Sequence, residues 1–343
     1  MCGKSYKPPD SGSDLSAKLS WRGSRKKPQN KRFRRLLLAA LIWGAAFVPQ
    51  RTAMKHLEPL TFNGIRFALG ALALIPVIAL QSRRPNRTNG RVGSGDNDQR
   101  LPIGGGAAIG LVLFVAASLQ QAGLVHTTAG KGGFITGFYV PLVPIFGLFL
   151  GQRTRVATWA GAVLAVVGLY FLSVVGPFQI NRGDGLVMVG TLFWAIQVLM
   201  VGRFAPRTDP VKLGFVQFSV VAVASLIAAG LVEQITIRAI AAAKWEILYG
   251  GLGSVSIAYT LQLVGQRHAP PGHAAVVLNL EAVFAAIAGY CVLDERFGTR
   301  ELFGAAVMLV GMMVSQAGLL FRRRASVSER CNADAVFEPC REP

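Results

Sequence analysis

Charge is what this sequence has least of. Asp, Glu, Lys and Arg make up only 15% of the 343 residues, against about 25% in ordinary soluble domains. Acidic residues are the scarcer kind, 17 against 36 Lys and Arg. Cysteine is nearly absent: Cys2, Cys291, Cys331 and Cys340 form no CxxC pair, which excludes a disulfide scaffold or a zinc site. Catalytic signatures are missing too. AGKGG at 129–133 lacks the GxxxxGK[ST] spacing of a phosphate loop, and there is no HExxH or aspartate-rich cluster. GSVS at 253–256 has no nucleophile-elbow context. No catalytic residue, metal or cofactor is expected.

What fills the space is apolar. Hydrophobic residues reach 52% and the mean hydropathy is +0.44. The net charge of +19 does not indicate nucleic acid, since no zinc-finger or RNP-like motif accompanies it. The basic residues sit in the tails and between apolar runs, where they set membrane orientation. Residues 1–35 hold eleven Lys and Arg among Ser, Gly and Pro and read as a disordered basic tail. No apolar core followed by a cleavage site marks a secretory signal, and Asp10 and Asp14 fit a transit peptide poorly. A second polar tail, 322–343, opens on Arg322, Arg323 and Arg324.

Between the tails, apolar runs fall near 36–54, 58–80, 102–124, 130–151, 155–175, 185–203, 210–231, 246–266, 271–293 and 300–321. Each approaches the roughly 20 residues that a helix needs to cross the hydrocarbon core. None alternates with the period of two that a barrel strand requires. The expectation is an all-α integral membrane protein of ten transmembrane helices, in contact with membrane lipids. Most Lys and Arg fall on the side that carries both tails, which places both termini in the cytoplasm and the protein in the cytoplasmic (inner) membrane.

The chain also repeats itself. At a shift of 151 residues Trp43 falls on Trp194, Pro59 on Pro210 and Phe67 on Phe218; at 142, His126 falls on His268, Gly130 on Gly272 and Gly147 on Gly289. Each half, 36–175 and 185–321, holds five spans. An odd number makes the second half cross in the opposite sense, so the two are expected to be inverted repeats, an organisation common among secondary transporters.

On these residues the chain resembles the EamA-type family of the drug/metabolite transporter superfamily. WGAAFV at 43–48, Arg66-Phe67, the segment TTAGKGGFITGFYVPLVPIFGLFLGQR from Thr127 and LNLEAVFAAIAGYCVLDERFGTRELFGAAVMLVGM at 278–312 carry the likeness. It implies a basket of ten helices around a central cavity, and export or exchange of small organic metabolites by alternating access. Two departures stand out: Ala282 where that family often has Pro, and Gln152 where it often has Glu. The rival from another class is a membrane enzyme or ligand sensor that acts on a small or lipid-linked molecule without moving it.

Two charges stand isolated inside spans, Arg66 in the second and Glu281 in the ninth. A charge near the bilayer centre costs at least about 2.5–3.5 kcal/mol on insertion scales, so each needs a cavity or a partner. Arg66 suits an anion-recognising fork, and Glu281 a proton-coupling or cation-recognising group; a mutual ion pair locking two helices is the alternative. Further candidates for solute binding are Lys131, Trp43, Trp194, Gln217, Tyr139 and Asn279, with Gln217 falling opposite Arg66 in the repeat. Gln120, Gln197, Tyr259 and Gln262 extend the polar set. Arg51 and Gln50, at the outer end of the first span, read as snorkelling side chains. Pro141 and Pro144 interrupt the fourth span and would break its hydrogen-bond ladder.

Overall fold

A computed structural model describes residues 27–82, 103–149, 156–175, 179–267, 269, 271–311 and 313–314. The first repeat runs α1 (Lys27–Ala53), α2 (Pro59–Ser82), α3 (Ile103–Leu124), α4 (Ala129–Gly137), α5 (Tyr139–Phe149) and α6 (Val156–Ser173). A two-residue hairpin follows, Val174 opposite Ile180 and Val175 opposite Gln179. The second repeat begins with α7 (Arg182–Phe204) and α8 (Pro210–Val232), then two short helices, α9 (Ile237–Ala242) and α10 (Lys244–Leu248). A π-helical stretch, Tyr249–Tyr259, leads into α11 (Thr260–Gln266), then α12 (Pro271–Leu278), α13 (Leu280–Leu293) and α14 (299–311).

Among the described residues, seven segments are helices long and apolar enough to span a membrane, from Phe33–Ala53 to Lys244–Gln266. The fifth and ninth expected spans carry shorter apolar stretches, Trp159–Leu172 and Leu280–Leu293, and the tenth runs past residue 314, outside the described residues. Helix already begins at Lys27, inside the stretch read as a disordered tail; the rest of that tail and the stretch 322–343 lie outside the described residues. Apolar side chains fill the core and also cover the outside. Leu72, Leu80, Val163, Ile227 and Leu231 are exposed, while Gln121, Gln197 and Gln217 are fully enclosed. Such a surface suits lipid.

The repeats are inverted, as the register of their matching helices demonstrates. Along α2, the Thr61 hydroxyl donates to Glu233 at 2.8 Å, Gly64 lies on Leu226, Phe67 packs on Phe218 at 6.1 Å between ring centroids and Leu74 lies on Gly214. Numbers rise in one helix as they fall in its mate, so α2 and α8 run antiparallel. Helices α4 and α13 do the same, Gly130 lying against Gly289 and Gly133 against Ala282 and Ala285. The remaining packing obeys the same exchange: α1 lies on α13 as α7 lies on α5, and α2 on the π-helical stretch as α8 on α3.

Helix starts follow local chemistry. Asp209 accepts from Val211 N and Lys212 N at 2.9 and 3.0 Å and caps α8 ahead of Pro210. The matching helix α2 has Glu58 before Pro59. Its free N–H groups are taken by Glu233 at the end of α8, which accepts from Leu60 N and Thr61 N at 2.8 and 2.7 Å. Glu233→Ala removes these bonds and is expected to cost about 1–2 kcal/mol, read as a lower thermal midpoint in detergent.

Candidate functional site

The proline-rich fourth span breaks, as its composition predicts, with Phe138 separating α4 from α5. The ninth span breaks at Asn279, between α12 and α13, one residue before the position that matches Phe138. No proline causes this second break, since Ala282 stands where the family often has one. At the shift of 142, Tyr139 falls on Glu281. Tyr139, the first residue of α5, and Glu281, the second of α13, are thus repeat mates, and both reach the same space.

That space is a partly open central cavity, with about 510 Å³ of empty space when its open mouth is included. Most of its lining comes as repeat-related pairs: Trp43 with Trp194, Phe47 with Val198, Gln120 with Gln262, Thr136 with Leu278 and Tyr139 with Glu281. The cavity therefore lies on the pseudo-twofold axis relating the halves. Chemistry differs across the axis, where Thr136 is matched by Leu278 and Tyr139 by Glu281. Gln50, Arg66, Ser254 and Tyr259 complete the wall without matching partners.

Arg66 and Glu281 both line this cavity and do not pair. Among the described residues the ion pairs are Lys131–Glu301 and Arg296–Asp294. The Arg66 Nε donates to Asn63 Oδ1 at 3.0 Å, and its guanidinium lies 5.1 and 5.2 Å from the Phe62 and Phe67 ring centres. Gly250 of the π-helical stretch makes room for it, since a Cβ there would stand 3.3 Å from Arg66 Cδ. Among the described residues no hydrogen bond holds its Nη groups or the Glu281 carboxylate. Tyr259 is within electrostatic reach of both charges. Its ring meets Trp43 edge-on at 4.7 Å and stacks parallel to Trp194 at 6.4 Å. Trp43 Nε1 donates to the Ser254 carbonyl at 3.1 Å, whereas Trp194 Nε1 has no partner.

Five expected residues thus meet at one site: Trp43, Arg66, Tyr139, Trp194 and Glu281. Three lie elsewhere. Lys131, at the start of α4, is held 2.5 Å from Glu301, because the end of α13 and start of α14 pack beside it. Gln217 is fully enclosed on the α3–α8 seam, with its carbonyl against Gly110; the same helix face that carries Arg66 onto Gly250 carries Gln217 onto α3. Asn279 sits at the break itself, 7% exposed, with its Oδ1 unpartnered and outside the cavity lining. Gln50, read as snorkelling, is 5% exposed and lines the cavity, because α1 continues past it to Ala53. Its carbonyl accepts from Gln121 Nε2 at 2.9 Å. Tyr259 was legible as one polar residue among several, and nothing in the sequence marked its central place.

The halves are fastened to each other at one end of the bundle. Glu295, after α13, accepts from Ala129 N and Gly130 N of α4 at 2.7 and 2.9 Å. Thr127 donates to Asp184, the Thr52 hydroxyl to Glu246 at 3.3 Å, and Glu233 holds α2 as above. In each case the carboxylate belongs to the second repeat. Buried amides are less well served. Gln197 Nε2, Gln217 Nε2 and Oε1, Gln262 Oε1 and Gln266 Oε1 have no partner, and each such atom costs about 1–3 kcal/mol when dry.

A helical membrane protein of two inverted repeats, enclosing a cavity lined by both, belongs with the transporters. The EamA-like transporter family matches it twice, over residues 35–174 and 181–316, and the chain belongs to that family. It is 29% identical over 281 residues to an uncharacterized transporter of Archaeoglobus fulgidus, covering 81% of this chain and 83% of that one. It is 24% identical over 314 residues to a probable amino-acid metabolite efflux pump of Escherichia coli, covering 85% and 96%. A solved crystal structure shares the fold with a TM-score of 0.63 at 19% identity, covering 86% of this chain and 98% of that one. The relatives are named as transporters, and this chain is a multi-pass membrane transporter.

Proposed function

We propose that the protein is a secondary transporter, working as an exporter or exchanger of small organic metabolites by alternating access. The observation that carries this reading is that Arg66 and Glu281 line one cavity without neutralising each other. Two opposite charges kept apart in an apolar interior suit a solute with an anionic and a cationic end. Arg66 takes the carboxylate or phosphate through its free Nη groups. Glu281 takes an ammonium group, or a proton when the solute leaves. Trp43, Trp194 and Tyr259 pack the solute body, a surface that also favours cations, and Tyr139 faces Glu281 from the matching half-helix. Lys131, Gln217 and Asn279 support the fold around the site. Residues 36–175 and 185–321 act as the two moving halves. The basic excess supports cytoplasmic termini, with tails 1–35 and 322–343 outside the transport unit, in the cytoplasmic membrane. The amino-acid metabolite named for the Escherichia coli relative is of the charge type this cavity suits.

Purified protein in liposomes loaded with a panel of amino acids and other small zwitterions tests the proposal by counterflow. Accumulation of at least one labelled solute is expected, and absence of flux across the panel counts against it. Arg66→Gln, which copies the residue at the matching position 217, is expected to weaken apparent affinity for the transported solute by about 10- to 100-fold.

A further inference from the structure

Three glutamines continue downward from the cavity. Gln262 of α11 lines it. Gln266 follows four residues later on the same helix face, and Gln197 of α7 lies opposite. Gln262 Nε2 donates to Gln197 Oε1 at 3.4 Å, and Gln266 Nε2 to the Val198 carbonyl at 3.4 Å, both near the limit for such bonds. All three side chains are at most 1% exposed, and each retains one amide atom without a partner. Unpartnered buried polar atoms call for water or a ligand. The matching positions in the first repeat are dry: Gln266 falls on Leu124 and Gln197 on Ala46, both apolar and fully enclosed. Gln262 alone has a polar mate, Gln120. The amide seam is therefore a property of one half and one direction.

Its direction is set by the chain. Helix α11 ends at Gln266, at the end of the bundle where α7 stops and α8 begins. That end lies opposite the Glu233 and Glu295 fastenings. We infer that the α7–α11 seam, lined by Gln197, Gln262 and Gln266, is the hydrated route between the cavity and the 203–212 end of the bundle. Six amide donors and acceptors without net charge suit passage of a neutral polar or zwitterionic solute and its water, and bind neither end tightly. The solute part of this inference rests on the transporter reading; the water route does not.

Thiol accessibility in membrane vesicles tests it, with Cys2, Cys291, Cys331 and Cys340 replaced by Ser in the full chain. Gln197→Cys, Gln262→Cys and Gln266→Cys are each exposed to a charged, membrane-impermeant methanethiosulfonate. Arg207→Cys, exposed in the 203–212 loop, identifies the face. Ala116→Cys, fully buried on the α3–α7 seam, sets the dry baseline. The seam positions are expected to react from the Arg207 face at least tenfold faster than Ala116→Cys, and not from the other face. Adding Gln266→Leu is expected to slow labelling of Gln262→Cys at least tenfold while the protein stays folded. Rates equal to the Ala116→Cys baseline from both faces overturn the route, as does equal labelling from both faces or indifference to Gln266→Leu. Labelled seam positions in a protein that moves no solute would leave the route standing and remove the transporter reading.

Discussion

Glu281→Gln is expected to lower solute flux by about 10- to 100-fold without lowering the thermal midpoint. The glutamine keeps the shape of the side chain and removes its charge. A hydrogen bond to a charged group contributes about 1.5–3 kcal/mol, and each 1.4 kcal/mol is a factor of ten in binding. Stability should hold or rise, because the carboxylate is 5% exposed and has no ion-pair partner among the described residues. Were Glu281 instead one side of a structural pair, its neutralisation would strand the other charge and cost about 3–5 kcal/mol. Flux and melting measured on the same preparation separate the two outcomes. A sharp fall in the midpoint with flux preserved per folded molecule would sink the solute-binding role.

Gly44→Ala is the second substitution with a large expected effect. Gly44 lies where α1 crosses α13, and a Cβ there would stand 2.7 Å from the Glu281 carbonyl and 3.0 Å from Ala285 N. Both neighbours are backbone and cannot rotate away, so the helices must separate. Overpacking of this kind costs typically about 1–3 kcal/mol, visible as a lower midpoint. Because α13 shifts just where it carries Glu281, the proposed solute site shifts as well, and flux should fall further than stability alone explains. Gly44→Leu is expected to prevent assembly. Gly230, where a Cβ would meet nothing within 4 Å, supplies the control: Gly230→Ala should leave both readings unchanged.

Much of this architecture could be read from residues alone, because a membrane imposes long apolar runs and the repeat imposes its register. Pro141 and Pro144 announced the break in the fourth span. The break at Asn279 had no such signal, since Leu280, Glu281 and Ala282 all tolerate a helix. The π-helical stretch from Tyr249 to Tyr259 looks in composition like any apolar helix. At the site, Arg66 and Glu281 were legible because isolated charges in apolar runs need a reason. Lys131 was misleading for the converse reason: its partner Glu301 comes from a distant segment, and nothing local predicts the pair. The shift that defines the repeat also pairs the residues of the site. Applied to polar residues it matches Gln120 with Gln262 and Tyr139 with Glu281, and these pairs line one cavity.

The fastenings between the halves bear on how the chain is made. Glu233, Glu295, Glu301, Asp184 and Glu246 all lie within or just ahead of the second half and all grip the first. During synthesis the first five spans therefore emerge before any of their carboxylate partners exists. The N–H groups at the start of α2 and the Arg66 guanidinium must wait, in the translocation machinery or in lipid, until α8 and Gly250 follow. Neither half is then expected to be a folding unit by itself. The chain behaves as a dimer whose subunits happen to be joined, and two separately expressed halves should be rescued from degradation only when made together.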